Sequence, residues 1–149
     1  MGIPASGRVL AVDWGEIRIG LALSDESQTI ASPLETLTRR RGKRFPMPRF
    51  LELVVAHAPV GLVVGLPLTP EGGERPATLA ARELAVLVGR RTGLPVELVD
   101  ERVTTARAHA AIREQGGSAR GRREEVDALA AAILLQHFLE TRRHAAPPS

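Results

Sequence analysis

Two apolar, β-branched-rich runs, Val9–Val12 and Ile17–Leu23, are separated only by Asp13–Glu16, with Gly15 available for the turn. Such a pair predicts a β-hairpin, and runs of this composition belong in a core. Asp13 then puts a carboxylate at the end of a buried strand. That placement is costly unless the acid is paired or coordinates a metal. The opening of the chain therefore sets both the first elements of the fold and a chemical question, which is what Asp13 faces.

The remainder alternates strand and helix. Ala31–Leu37 predicts a third antiparallel strand, followed by a charged loop over Arg39–Arg44. Pro46 and Pro48 open a helix running to about His57, since proline fits a first helical turn. Val60–Leu66 is a short continuous apolar run, as expected of a strand covered on both faces. A helix over Ala77–Arg91, with Leu79, Leu84, Leu87 and Val88 as its apolar face, closes at Gly93. Pro95–Val99 predicts a further strand. Thr104 or Thr105 caps a helix ending at Gly116, a basic loop follows, and Glu124–Glu140 forms the last helix with Val126, Leu129, Ile133, Leu134 and Phe138 apolar. The order β-β-β-α-β-α-β-α-α implies an α/β fold, a mixed sheet with helices on its faces. A single domain over residues 1–140 is expected, with 141–149 as a disordered tail.

Composition narrows the chemistry. The 149 residues include no cysteine, which excludes disulfides, thiolate metal sites and a cysteine nucleophile. Met1–Gly7 carries neither the basic region nor the apolar core of a secretory signal, and Pro59, Gly61, Gly65 and Pro67 break the uncharged segment Leu53–Pro70. A cytoplasmic protein with no membrane partner is expected. Of the 20 basic residues only Lys43 is lysine, and the charge is clustered in Arg39, Arg40, Arg41, Lys43 and Arg44, and again in Arg120, Arg122 and Arg123. Guanidinium suits phosphate, so these runs are candidate nucleic-acid contacts.

Glu101 follows the Pro95–Val99 strand, so it also stands at a C-terminal strand end. If that strand neighbours the first, the two acids meet at the sheet edge where open α/β sheets place their sites. Asp127, one turn into the last helix and on the border of its apolar face, can point back at the sheet. Each acid has a structural reading alone, as a turn residue or as a carboxylate near a helix N-terminus. One cation site accounts for all three. Hard oxygen donors without thiolates or clustered imidazoles select Mg²⁺ or Mn²⁺, and His57, His109, His137 and His144 show no ligand-like spacing. Carboxylate-held metals of this kind catalyse phosphoryl displacement.

The motifs DWGEIRIGLALSD, VVGLPLTPEGGE, VDERVTTARA and VDALAAAILLQHFL, in that order, resemble the YqgF/RuvX family of RNase H-like proteins. That family is described as Holliday-junction-resolvase-like and as nucleases for the precursor of small-subunit (16S) ribosomal RNA. The resemblance spans Arg8 to about Glu140. It implies an RNase H-like five-stranded sheet, antiparallel hairpin unit first and parallel strands after, with helices on both faces. It also implies catalysis and metal binding by Asp13, Glu101 and Asp127, with supporting roles for Arg18 and Arg102, as nucleic-acid contacts, and for Gly65–Pro67, Thr104 and Thr105. RNase H-like nucleases often use four acids. Glu124 shares a helix face with Asp127 but sits in a charged run, where solvation is its expected role. Trp14 is expected to pack under a neighbouring element rather than stack on a base.

The implied function is Mg²⁺-dependent cleavage of structured nucleic acid, with precursor ribosomal RNA as first substrate, a ribosomal precursor particle as its setting, and a monomer or weak homodimer as the working form. Four-way junction DNA is the alternative, and it requires a dimer for two symmetric cuts. A non-catalytic RNA-binding assembly factor is a further reading. Asp13, Gly15 and Gly20 also resemble the first phosphate loop of actin-like ATPases and sugar kinases, but those close two such domains on a nucleotide and this chain has one.

Overall fold

The computed structural model describes residues 2–15, 18–38, 45–102 and 123–145. The hairpin forms from β1 (Val9–Asp13) and β2 (Arg18–Ser24), and β3 (Ala31–Thr38) adds antiparallel to β2. After α1 (Met47–His57), β4 (Gly61–Leu66) lies parallel to β1 on its other side. Helix α2 (Pro76–Thr92) returns the chain to β5 (Val96–Asp100), parallel to β4, and the last helix, α3, spans Arg123–Ala145. The five-stranded sheet has the order β3-β2-β1-β4-β5.

Local chemistry explains the elements. Every residue of β4 is buried, which suits its unbroken apolar run in the middle of a sheet covered on both faces. Pro33 cannot donate a ladder hydrogen bond and sits in β3, the edge strand, near a register shift at Leu21/Ala22. Gly93 ends α2 in the left-handed conformation.

Strand alternation divides the core in two. Leu10, Val12, Ile19, Leu21, Leu62 and Val64 face α1 and α2, where Phe50 is fully buried. Val9, Ala11, Ala22 and Val63 face the other way, against Ala131, Ala132, Leu135, Phe138 and Leu139 of α3. Burying one such large side chain contributes about 1.5–3 kcal/mol.

Three expectations need correction. Leu84 and Val88 of α2 are buried, but Leu79 and Leu87 are exposed, and the packed face is completed by Thr78, Ala81 and Ala85. Small residues let α2 approach the sheet closely, and a reading weighted by apolar size misses them. On α3, Leu134 and Phe138 are buried as expected, whereas the rest of the core face comes from alanines together with Leu135 and Leu139. Helix α3 also continues past Glu140 to Ala145, into the stretch expected to be tail. Arg142 anchors that extension, donating to the Ile3 carbonyl and to Gln28 Oε1 (3.3 Å) while its guanidinium lies over the Phe138 ring.

Candidate active site

The ladder sets the level of the site. Asp13, last residue of β1, is the cross-strand partner of Gly20, and Val12 is the partner of Val64, so Asp13 and Gly65 are the next residues along their parallel strands. Asp13 is thus flanked by a glycine on each neighbouring strand. Both glycines are places where something else approaches the sheet. A Cβ on Gly20 would fall 2.0 Å from the carbonyl oxygen of Asp127, so α3 rests its N-terminal backbone directly on β2. A Cβ on Gly65 would fall 2.3 Å from Glu101 Oε1, so the Glu101 side chain occupies the space above β4. The absence of two side chains brings the helix acid and the β5 acid to Asp13.

Glu101 is oriented from both sides. Its backbone N–H donates to the Leu66 carbonyl (3.2 Å), extending the β4–β5 ladder by one bond. Its carboxyl shares a side-chain hydrogen bond with Asp13. A hydrogen bond between two carboxyls requires a proton on one of them. Burial accordingly pushes Asp13 up, with the nearby Asp127 charge adding to the rise, although the bond to Glu101 opposes it. Glu101 is pushed up to about 10 by burial first, then by the bond and charge of Asp13, while the Arg75 charge opposes this. Burial thus holds both acids of this interacting pair above the usual carboxylate range.

Asp127 takes a different partner. Arg18 Nε donates to Asp127 Oδ2 at 2.6 Å, with both side chains less than a third exposed. Among the described residues no group of three His, Cys, Asp or Glu side chains is arranged to hold a metal ion as it stands. The donor chemistry nonetheless suits Mg²⁺ or Mn²⁺: oxygen ligands only, on buried acids whose charged forms a cation would favour.

The structure sets Asp13 beside Glu101 and within range of the Asp127 charge, turns Asp127 onto Arg18, and places the flanking cations differently from a set of free phosphate contacts. Arg102 forks onto Asp100, with Nη2 to Oδ2 at 2.6 Å and Nε to both oxygens, and its Nη1 donates to the Pro70 carbonyl (3.2 Å). It fastens the loop after β4 to the end of β5. Thr78 supports the same loop from within α2, its hydroxyl donating to the Pro67 carbonyl and accepting from the Arg75 N–H (3.1 Å). Trp14 packs on Phe45, ring centroids 6.4 Å apart, as a neighbour of the core. Arg39, Arg40, Arg41, Lys43, Arg44, Arg120, Arg122, Thr104 and Thr105 lie outside the described residues, as does the helix expected to end at Gly116; Arg123 and Glu124 open α3.

Sequence reasoning missed Gly20 as the seat of α3 and Arg75 as a charge acting on Glu101. A glycine inside an otherwise β-branched strand is the available signal for the first. For the second, Arg75 directly precedes Pro76, which marks the start of a helix at the loop beside the site.

Comparison with known proteins bears on the family and the fold. Residues 7–141 match the profile of the RuvX family, described as Holliday junction resolvase. A Rhodopirellula baltica protein named "Putative pre-16S rRNA nuclease" is 38% identical over 146 residues, covering 96% of this chain and 82% of that protein. A Clavibacter michiganensis protein of the same name is 42% identical over 142 residues, covering 95% and 88% respectively. Among solved structures, Thermus thermophilus RuvC in complex with Holliday junction substrate superposes with a TM-score of 0.59 at 19% identity, covering 96% of this chain and 99% of that one. At that identity the likeness establishes the fold, which is RNase H-like.

Proposed function

This chain belongs to the RuvX family, and from that premise we propose that it is a metal-dependent nuclease of structured nucleic acid whose first substrate is the precursor of small-subunit ribosomal RNA. The observation that carries the chemistry is the convergence of acids at one end of the sheet: Asp13 lies level with Gly20 and Gly65, the Glu101 side chain occupies the space over Gly65, and Asp127 rests its backbone on Gly20. Acids crowded this way form a strained site without a cation and a ligand set with one. The substrate assignment rests on the names of the relatives.

Asp13, Glu101 and Asp127 are the metal ligands in this reading. Bound Mg²⁺ or Mn²⁺ supplies a lowered pKa for the attacking water and charge stabilisation at the phosphate. In the reaction a water oxygen bonds to phosphorus, one bridging P–O bond breaks, and the departing sugar oxygen takes up a proton. The chain's own contribution is placement. β1 and the β4–β5 ladder fix Asp13 and Glu101, α3 seated on Gly20 fixes Asp127, and Arg102 with Thr78 holds the rim loop. Arg75 stands as a positive charge beside Glu101, suited to a substrate phosphate. The basic runs at Arg39–Arg44 and Arg120–Arg123 extend the phosphate contacts. A ribosomal precursor particle in the cytoplasm is the setting, and among the described residues no helix is long and apolar enough to cross a membrane.

The test is incubation of the full chain, with Mg²⁺, on a precursor 16S transcript and on a four-way DNA junction under identical conditions. Cleavage of the transcript supports the proposal. Paired symmetric cuts in the junction alone would make the chain a resolvase, consistent with the family's description. Binding of RNA without cleavage of either would make it an assembly factor.

A further inference from the structure

Three acids line the site, and the carboxylate of Asp127 is turned onto a cation of the protein itself. Arg18 leaves β2 two residues before Gly20, the glycine on which the Asp127 backbone rests, so the strand that seats the helix also supplies the guanidinium. The contact is charge-assisted, short at 2.6 Å and made through Nε, with both side chains about 30% exposed. Among the described residues no three acids stand arranged to hold a metal ion. The Glu101 side chain occupies the space over Gly65, on the strand beside Asp13.

We propose that Arg18 is an exchangeable counter-ion: it holds Asp127 while the site lacks metal, gives the carboxylate up when Asp127 ligates Mg²⁺, and then meets a backbone phosphate of the nucleic acid. The proposal rests on the metal-site reading above and adds a positioning role for Arg18. Two features of the geometry support it. A protein cation on Asp127 lowers the repulsion among the three acids in the metal-free chain, which keeps α3 seated over Gly20. The guanidinium is also partly solvent-exposed and beside the acids, so once released it remains at the site where the phosphate must lie, and it brings a donor fork suited to phosphate. The exchange makes phosphate binding through Arg18 conditional on a loaded metal site.

The experiment follows the Arg18 Nε–H proton by NMR in the full chain, labelled at arginine, and measures Mg²⁺ affinity by calorimetry for wild type, Arg18→Ala and Arg18→Lys. In the metal-free wild type the Nε–H resonance should be shifted and protected from solvent exchange by its bond to Asp127. Mg²⁺ alone should move it toward the free-arginine position and speed its exchange. Added RNA should then shift it again, substrate and product alike, since both carry phosphates. Arg18→Ala should bind Mg²⁺ more tightly, on the order of tenfold, because a charged hydrogen bond no longer competes for Asp127. Arg18→Lys, which keeps the charge without the Nε donor, should fall between. A thermal melt of each variant establishes that it is folded. If Mg²⁺ binds the wild type but leaves the Arg18 signal unmoved, and Arg18→Ala has unchanged affinity, Arg18 is a permanent strut and this inference falls while the metal site stands. If the wild type binds no Mg²⁺, both fall.

Discussion

Replacing the two glycines beside Asp13 separates what seats the helix from what seats the acid. A Cβ on Gly20 would lie 2.0 Å from the Asp127 carbonyl oxygen, 2.5 Å from its carbon and 3.1 Å from the Ala128 nitrogen. All three are backbone atoms. Comfortable separation is about 3.5 Å or more, so α3 must retreat by roughly 1.5 Å. Overpacking of this kind costs about 1–3 kcal/mol. For a chain of this size that is a melting-temperature loss of roughly 2–12 °C. A Cβ on Gly65 instead meets the far end of one side chain, Glu101, at 2.3 Å from Oε1 and 3.0 Å from the next two atoms. That side chain can swing aside, and Gly65 is not among the glycines with positive φ, so alanine suits the backbone. Gly65→Ala should therefore lose less melting temperature than Gly20→Ala, because one side chain moves in place of a helix backbone and alanine restricts the unfolded chain, although Glu101 gives up its buried contact with Asp13. Both variants should lose cleavage by about a hundredfold, because a displacement near 1 Å at a reacting centre costs that much. Differential scanning calorimetry beside a cleavage assay measures the two effects. A Gly65→Ala protein that cleaves at the wild-type rate would refute the positioning of Glu101 described above.

The burial of these two acids makes stability depend on pH. Because Glu101 is raised from 4.5 to about 10, and Asp13 is raised too, the native metal-free chain keeps protons that the unfolded chain releases. Its melting temperature should fall as pH rises from 4.5 towards 10, and Asp13→Asn should flatten that slope while abolishing cleavage and leaving the fold intact or stabilised; a slope unchanged in Asp13→Asn would remove Asp13 from the pair. Substituting Arg120, Arg122 and Arg123 together by alanine should weaken RNA binding whatever the sequence and shallow its log-log salt dependence by about 0.7–0.9 for each phosphate no longer neutralised, read by titration at several ionic strengths. Unaltered affinity and slope would make that segment a solvated linker.

The parts of the fold that were legible in the sequence are those where one residue type decides the outcome. The hairpin, the buried β4 run, the prolines opening α1 and Gly93 ending α2 depend on backbone chemistry carried by the residues themselves. Asp13 was legible for a related reason, since an acid at the end of an apolar strand needs a partner wherever the chain goes. Helix faces were less so. Thr78, Ala81 and Ala85 pack while Leu79 and Leu87 are exposed, because closeness of approach rather than apolar size determines which side of α2 meets the sheet. Gly20 could not be read as the seat of α3, because its partner Asp127 is distant in sequence and only the folded sheet brings them together. Charge alone likewise could not show that Arg18 and Arg102 are engaged within the chain, on Asp127 and Asp100. An arginine free for phosphate and one paired internally look the same until the acid opposite is known.

A Mn²⁺ titration of wild type against Asp127→Asn, with no substrate present, decides whether Asp13, Glu101 and Asp127 act as one metal site. Asp127 is the decisive position because it comes from a helix rather than the sheet, and its carboxylate accepts from Arg18. Mn²⁺ should bind the wild type, and Asp127→Asn at least about tenfold more weakly, a difference of about 1.4 kcal/mol or more. Identical affinities in the two proteins would leave the helix carboxylate outside the site and contradict the three-acid reading.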